Sequence, residues 1–210
     1  MLDGIDVHDG QGDVAWQTVA ANCQFAFIRG AYGDRADGRY LDNYEGCRAN
    51  HLPVGLYHFF RATRDPQKQA DVMCSVLDKV NFGTGDLSPV LDVEDNPHYD
   101  GPWNPADNGK YIDGLRVWLN TIKTTFPKCT PIIYARASFW SVLGNPSGFD
   151  QYPLWIAHYT QNPQPRLPQG WKSYAFWQYT ASGNTPGVSG GCDLNRFAGD
   201  GEALFEMLMS

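Results

Sequence analysis

A chain of 210 residues, 42% hydrophobic and 19% charged, has the balance of an ordinary soluble globular protein and enough length for one large core. The net charge of -7 comes with no run of Lys or Arg, which argues against nucleic acid binding by phosphate neutralisation and against attraction to an anionic membrane surface. No segment approaches the roughly 18 apolar residues that a spanning helix needs.

In chain order, short apolar runs alternate with helical patterns through the first two thirds. Residues 2–7 read as a strand, and Val14, Trp16, Val19 and Ala20 as a short helix. Residues 25–29 form the second strand, 40–51 a helix and 53–60 the third strand. Ala70, Met73, Val76, Leu77 and Val80 recur at helical spacing. Residues 89–94 give the fourth strand, and Tyr111, Leu115, Trp118, Leu119 and Ile122 mark the clearest amphipathic helix. Residues 131–134 are the fifth strand, followed by a short helix around 139–143. Then the character changes. Residues 153–159, 171–180 and 188–193 read as strands with few helical patterns between them, and a last helix spans 201–209. Repeated strand-helix units imply parallel strands, and about eight strands imply a barrel rather than an open sheet. With no linker and no repeat, one domain over 1–210 is expected.

The stretch Leu91-Asp92-Val93-Glu94-Asp95 carries the chemistry. Side chains alternate along a strand, so Asp92 and Glu94 share a face where an apolar run ends. Burying unpaired charge is costly, so packing alone gives no reason for the pair, whereas two carboxyl groups are the equipment for glycosidic cleavage. Only 4 of the 23 acidic residues are Glu, and Glu94 is the only one between Glu45 and Glu202. The same pair also fits a capping or ion-paired couple, because D-x-E is a weak pattern. In a parallel barrel the active site lies at the carboxyl ends of the strands. Collecting those ends brings Asp6 and Asp193 beside Asp92 and Glu94, with His8, Arg29, Tyr32, Tyr57, His58, Tyr134, Arg136, His158, Tyr159, Trp177, Gln178 and Asn195 around the same rim. Seven Trp and eleven Tyr exceed what the core needs, and aromatic faces stack on sugar rings.

Eight segments in order resemble glycoside hydrolase family 25 muramidases. They are Gly4-Ile5-Asp6-Val7 with Gln11-Gly12, Phe25-Ala26-Phe27-Ile28-Arg29, Gly55-Leu56-Tyr57-His58-Phe59 and Pro89-Val90-Leu91-Asp92-Val93-Glu94. Pro131-Ile132-Ile133-Tyr134, Pro153-Leu154-Trp155-Ile156-Ala157, Phe176-Trp177-Gln178-Tyr179 and Asp193-Leu194-Asn195-Arg196-Phe197 complete the series. The resemblance implies an α/β fold: a flattened, irregular TIM-like β/α barrel whose last strands lack partner helices. It implies hydrolysis of the β-1,4 bond between N-acetylmuramic acid and N-acetylglucosamine in peptidoglycan strands. Glu94 would be the general acid, Asp92 the support for an attack by the substrate's own 2-acetamido oxygen with net retention, and Asp6 and Asp193 the flanking carboxylates. Tyr57, Tyr134, Trp155, Tyr159, Trp177 and Gln178 would contact sugar, with core packing as the other reading for Trp155 and Trp177. His58 and His158 read as structural. Residue spacing does not decide how Asp92 assists: alternate strand residues lie roughly 6.5 to 7 Å apart, between the distances for direct attack and for inversion.

The chain departs from the family pattern at His8-Asp9-Gly10 and at Arg29-Gly30-Ala31-Tyr32-Gly33. These positions bear on the substrate subsites and leave the four carboxylates intact. Neither a cofactor nor a metal is expected, and the protein is expected to act as a monomer. Two other classes fit the rim: a metal-dependent hydrolase using Asp6, His8, Asp92, Glu94 and Asp193, and a non-catalytic glycan-binding barrel. The five cysteines are scattered without a C-x-x-C pair, which fits reduced buried thiols; a bridge between Cys47 and Cys74 stays open. Met1 leads straight into a strand without a basic start or apolar run, so no signal peptide is expected. A wall-degrading enzyme of this kind fits a phage lysin, another delivery route, or secretion with the signal removed.

Overall fold

The computed structural model describes residues 1–210. Nine strands and seven α-helices run in the order β1 (Leu2–Val7), α1 (Trp16–Ala20), β2 (Phe25–Tyr32), β3 (Arg35–Ala36), α2 (Tyr40–Ala49), β4 (Val54–Phe59), α3 (Pro66–Lys79), β5 (Val90–Val93) and α4 (Pro97–Asp100). They continue with α5 (Asn108–Thr125), β6 (Ile132–Ala135), α6 (Ala137–Val142), β7 (Leu154–Ala157), β8 (Phe176–Gly183), β9 (Cys192–Phe197) and α7 (Gly201–Glu206). Eight strands close a barrel in the order β1-β2-β4-β5-β6-β7-β8-β9, and β3 extends one side of β2 beyond it. Within the barrel all neighbours are parallel except β9, which is antiparallel to both β8 and β1, while the added β3 runs antiparallel to β2.

A two-residue period sorts every strand into an inner and an outer face. The outer face meets the helices in a cluster of 35 buried residues, to which α3 contributes Ala70, Met73, Val76 and Leu77, and α5 Leu115, Trp118 and Ile122. Asp65 caps α3 by accepting from Lys68 N at 2.9 Å, ahead of Pro66 in the first turn, a standard arrangement for satisfying free helix N–H groups. The inner face holds Phe25, Phe27, Val90, Ile132, Trp155, Phe176 and Phe197. Phe27 stacks on Trp155 with centroids 4.3 Å apart. Two glycines make room for these rings: a Cβ on Gly4 would stand 2.5 Å from the Phe25 ring, and one on Gly55 2.6 Å from Phe27.

Following each inner face upward, the chemistry turns from apolar to polar. Val90 leads to Asp92, Ile132 to Tyr134, Phe176 to Gln178, and Phe25 and Phe27 to Arg29. On the reversed β9 the series runs Phe197, Asn195, Asp193. The fold thus puts a filled apolar plug at one end of the barrel and a polar mouth at the other.

Several expected boundaries change. The strand placed at 188–193 is β9, starting at Cys192 and running the other way, so Asp193 reaches the mouth from the beginning of its strand. The strand placed at 171–180 starts only at Phe176; Trp171 instead packs against Trp140, with centroids 4.9 Å apart. The strand at 153–159 ends at Ala157, and the last helix at Glu206. Neither β3 nor α4 was anticipated, both being too short for a periodic signal. As expected, no helix separates β7 from β8 or β8 from β9. All five cysteines are free thiols, so Cys47 and Cys74 are not bridged. No helix is long and apolar enough to cross a membrane.

Candidate active site

The polar mouth encloses a pocket of about 180 Å³ lined by Asp6, His8, Arg29, Tyr57, Phe59, Asp92, Glu94, Tyr134, Trp155, Gln178 and Asp193. All four carboxylates expected from sequence are therefore in one place. A larger cavity of about 860 Å³ lies at the opposite pole, where Ser88, Thr130, Pro153 and Ala175 precede their strands. It lacks the converging buried carboxyls, so size does not identify the chemistry here.

One half of the mouth is a hydrogen-bonded network built on Asp6. Register pairs Asp6 directly with Asp193 across β1 and β9. Gln178 Nε2 donates to Asp6 Oδ2 at 2.9 Å and to Asp193 Oδ2 at 3.2 Å. Asn195 Nδ2 donates to the same Asp6 oxygen at 2.8 Å, and its own oxygen accepts from the Trp155 indole at 2.8 Å. Gln178 Oε1 in turn accepts from the hydroxyls of Tyr134 at 2.9 Å and Tyr159 at 2.7 Å. Every partner of Gln178 therefore dictates one orientation of its amide. Burial, followed by the charge of Asp193, pushes the Asp6 carboxyl well above the usual range. Burial also raises Asp193, while a hydrogen bond from Asp6 opposes the rise. Two facing carboxyls, Asp6 buried and Asp193 half-buried, share a proton more readily than they hold two charges.

The other half is the end of β5. Asp92 is buried, and its Oδ1 has no hydrogen-bond partner. Burial and then the charge of Glu94 hold its pKa well above the ordinary value. Glu94 stands one residue past the strand and keeps 23% of its side chain exposed. Burial raises its pKa to about 7, opposed chiefly by Arg136. Arg136 Nη2 lies 3.4 Å from Glu94 Oε2 and 2.7 Å from Asp95 Oδ1. On the far side of Glu94 lies a second pocket of about 140 Å³, walled by the segment after β5 through Asn96, Trp103 and Asn104. Glu94 is the only residue that lines both.

The structure separates some of the expected sugar contacts. Tyr57, Tyr134, Trp155 and Gln178 line the pocket. Trp155 is a floor rather than a stacking face, since it is 1% exposed with its rings against Phe27. Tyr159 sits at the rim, 52% exposed, with its hydroxyl on Gln178. Trp177 is displaced from the site. It falls on the outer face of β8, 2% exposed, packed with Leu154 and Ile156, and donates to His158 O at 2.8 Å. His58 is also on an outer face, between the Trp118 indole at 3.1 Å and Gly33 O at 2.9 Å, and burial lowers its pKa to about 4. His158 Nδ1 accepts from Arg166 N. No group of three or more His, Cys, Asp or Glu side chains is arranged to hold a metal ion.

Arg136, expected at the rim without a role, and Asp95 and Tyr111, for which no role at the site was expected, also bear on Glu94. Arg136 continues the inner series Ile132, Tyr134, and that alternation was the available signal. Tyr111 donates to Glu94 O at 3.4 Å from α5, a contact that only the packing of α5 against the mouth creates.

A family model described as glycosyl hydrolases family 25 matches residues 5–188. Lysozyme M1 of Streptomyces globisporus is 31% identical over 98% of this chain and 71% of its own length. The autolytic lysozyme of Clostridium acetobutylicum is 28% identical over 94% of this chain and 56% of its own length. The crystal structure of the bacterial lysozyme from Streptomyces coelicolor superposes with a TM-score of 0.85 at 30% identity, covering 99% of this chain and 96% of that one. With the pocket, the β5 carboxylates and these relatives in agreement, the chain belongs to glycosyl hydrolase family 25 and is a glycoside hydrolase of the lysozyme kind.

Proposed function

We propose that the protein cleaves the β-1,4 bond between N-acetylmuramic acid and N-acetylglucosamine in peptidoglycan, with Glu94 as acid and base and with net retention. The observation that carries this reading is the place of Glu94: a carboxyl with a pKa of about 7, set between two pockets that meet nowhere else. A bond lying across that junction has a proton donor at its bridging oxygen and a sugar site on each side.

In the proposed reaction the Glu94 proton passes to the bridging oxygen as the C1–O bond breaks. The 2-acetamido carbonyl oxygen forms a bond to C1 in the same step, closing a cyclic intermediate on the muramic residue. Its N–H needs an acceptor, and the unpartnered buried Oδ1 of Asp92 can supply one. Glu94, now ionised, takes a proton from water as that water attacks C1 and reopens the ring. Two displacements on one carbon leave the configuration retained. Asp6 and Asp193 hold the floor of the pocket through Gln178 and place a partly negative group beneath the developing positive charge.

Incubation with defined muropeptides tests the bond, because mass spectrometry should find new reducing ends on N-acetylmuramic acid. Proton NMR during the first minutes should show the β anomer; reducing ends on N-acetylglucosamine, or the α anomer first, would overturn the assignment. We propose further that the domain acts as a monomer on the bacterial cell wall without cofactor or metal.

A further inference from the structure

Beside the barrel mouth lies a second groove of about 740 Å³, and His8 and Arg29 line both it and the smaller pocket. Its wall is the hairpin of β2 and β3, turned through Gly33 at φ 58°. The hairpin owes its orientation to an irregularity between Arg29 and Ala31 in the pairing of β2 with β4. The extra residue resets the two-residue phase, so Tyr32 pairs with the pocket-lining Phe59. Arg29, Arg35, Arg61 and Arg64, scattered in sequence, meet in this groove.

Their partners differ. Arg29 is held by Asp37 at 2.7 Å and Asp9 at 2.5 Å, and Arg61 by two hydrogen bonds to Asp100. Arg64 is 3.8 Å from Asp34, beyond hydrogen-bond reach. Exposed Arg35 has no carboxylate partner at all. The Arg29 and Arg61 guanidiniums lie 5.3 and 4.9 Å from the Tyr32 ring centre, and Tyr99 stands beside Arg61, 68% exposed. Asn96 Nδ2 donates to the Tyr32 hydroxyl, which ties the groove to the segment just after Glu94.

An unpaired arginine and a loosely paired one, in a protein of net charge -7, favour an anionic ligand in this groove. The position supplies the ligand's identity. The muramic sugar carries a peptide stem with free carboxylates on its lactyl arm, and the groove opens where the sugar pocket ends. We propose that this groove binds the carboxylates of the peptide stem, with Arg35 and Arg64 as charge contacts and Tyr99 as an apolar wall. The proposal rests on the peptidoglycan reading above. A pocket of this size holds several peptide residues.

The test compares kcat/KM on three soluble glycans of equal length: one with acidic stems, one with stems whose carboxylates are amidated, and one with stems removed by an amidase. Wild type should favour the acidic stems over both others. Arg35→Ala with Arg64→Ala should cut that preference by about fivefold through KM, on the scale of two exposed ion pairs, and Arg35→Glu should cut it further. Equal rates on all three substrates for wild type, or an unchanged preference in the variants, would overturn the proposal. So would competition by soluble poly(glycerol phosphate) that depends on Arg35 without any stem preference, since the groove would then serve a wall phosphate polymer. If wild type cleaves none of the three, the peptidoglycan reading itself fails.

Discussion

Arg136 Nη2 stands 3.4 Å from Glu94 Oε2 and only 2.7 Å from Asp95 Oδ1, so Glu94 holds the looser end of a shared guanidinium. That sharing lets the proposed acid keep a pKa of about 7 beside a cation. A full bidentate pair would favour the ionised form and leave no proton to donate at neutral pH.

A pH profile tests this balance. An acid works while protonated, so kcat/KM should fall as pH rises through about 7. Arg136→Ala removes the main influence lowering the Glu94 pKa, and Asp95 then acts unopposed. The alkaline limb should move upward by on the order of one pH unit, while Arg136→Lys should leave it near the wild-type position. A downward movement in Arg136→Ala would refute the role given to Glu94.

Substitutions at the β5 end should separate acid from support. Glu94→Gln should lower kcat by roughly 10²–10⁴-fold, the usual worth of a positioned acid, while isothermal titration still detects binding of an uncleaved oligosaccharide. Asp92→Asn should also lower kcat, and it should abolish the difference between N-acetylated and de-N-acetylated glycan, because it acts through the acetamido group. Full lysis by Glu94→Gln would remove Glu94 from the mechanism.

The alternation of side chains made much of this site readable in advance. Asp6, Tyr57, Asp92, Tyr134 and Gln178 sit at ends of apolar runs, where a strand leaves the plug for the mouth. The same rule misplaced Trp177, because Phe176, Trp177 and Tyr179 are all aromatic and composition cannot say which parity faces inward. Only pairing of Gln178 with Asn195 on β9 settles that. Asp193 was expected at a strand's end and reaches the mouth from a strand's start, since hydropathy carries no direction. The arginine groove was invisible for a different reason. Its four members lie between positions 29 and 64 with no local cluster, and the phase shift at the β2 bulge brings them together.

The outer face of the barrel should be separable from its chemistry. The Trp118 indole donates to His58 Nδ1 at 3.1 Å, both groups being fully buried. Trp118→Phe leaves that nitrogen without a donor and also removes ring volume. The expected cost is about 2–4 kcal/mol, read as a lower urea midpoint, with kcat on muropeptides unchanged once the folded fraction is accounted for. A kcat loss larger than the stability loss would mean that α5 transmits to Glu94 through Tyr111.

Asp6 offers the sharpest conflict between stability and function. Its Oδ2 accepts from Gln178 and Asn195 while Asp193 faces it, and burial raises its folded pKa well above the ordinary 3.8. Between the unfolded and folded pKa values the folded state holds more protons than the unfolded chain, so stability falls as pH rises through that window. Asn reproduces the protonated form: one oxygen can accept from Gln178 and Asn195, and the amide can donate toward Asp193. Asp6→Asn should therefore raise Tm at pH 7 by a few degrees, about 2–4 °C for each kcal/mol in a domain of this size. The gain should shrink as pH falls toward 3.8 and vanish below it, where wild-type Asp6 is protonated in both states. Activity should drop, because Asn cannot share negative charge with the reacting sugar. Melting curves from pH 4 to 8 alongside muropeptide turnover decide the matter: a variant less stable at pH 7 would mean that Asp6 is ionised and held by its two amide donors.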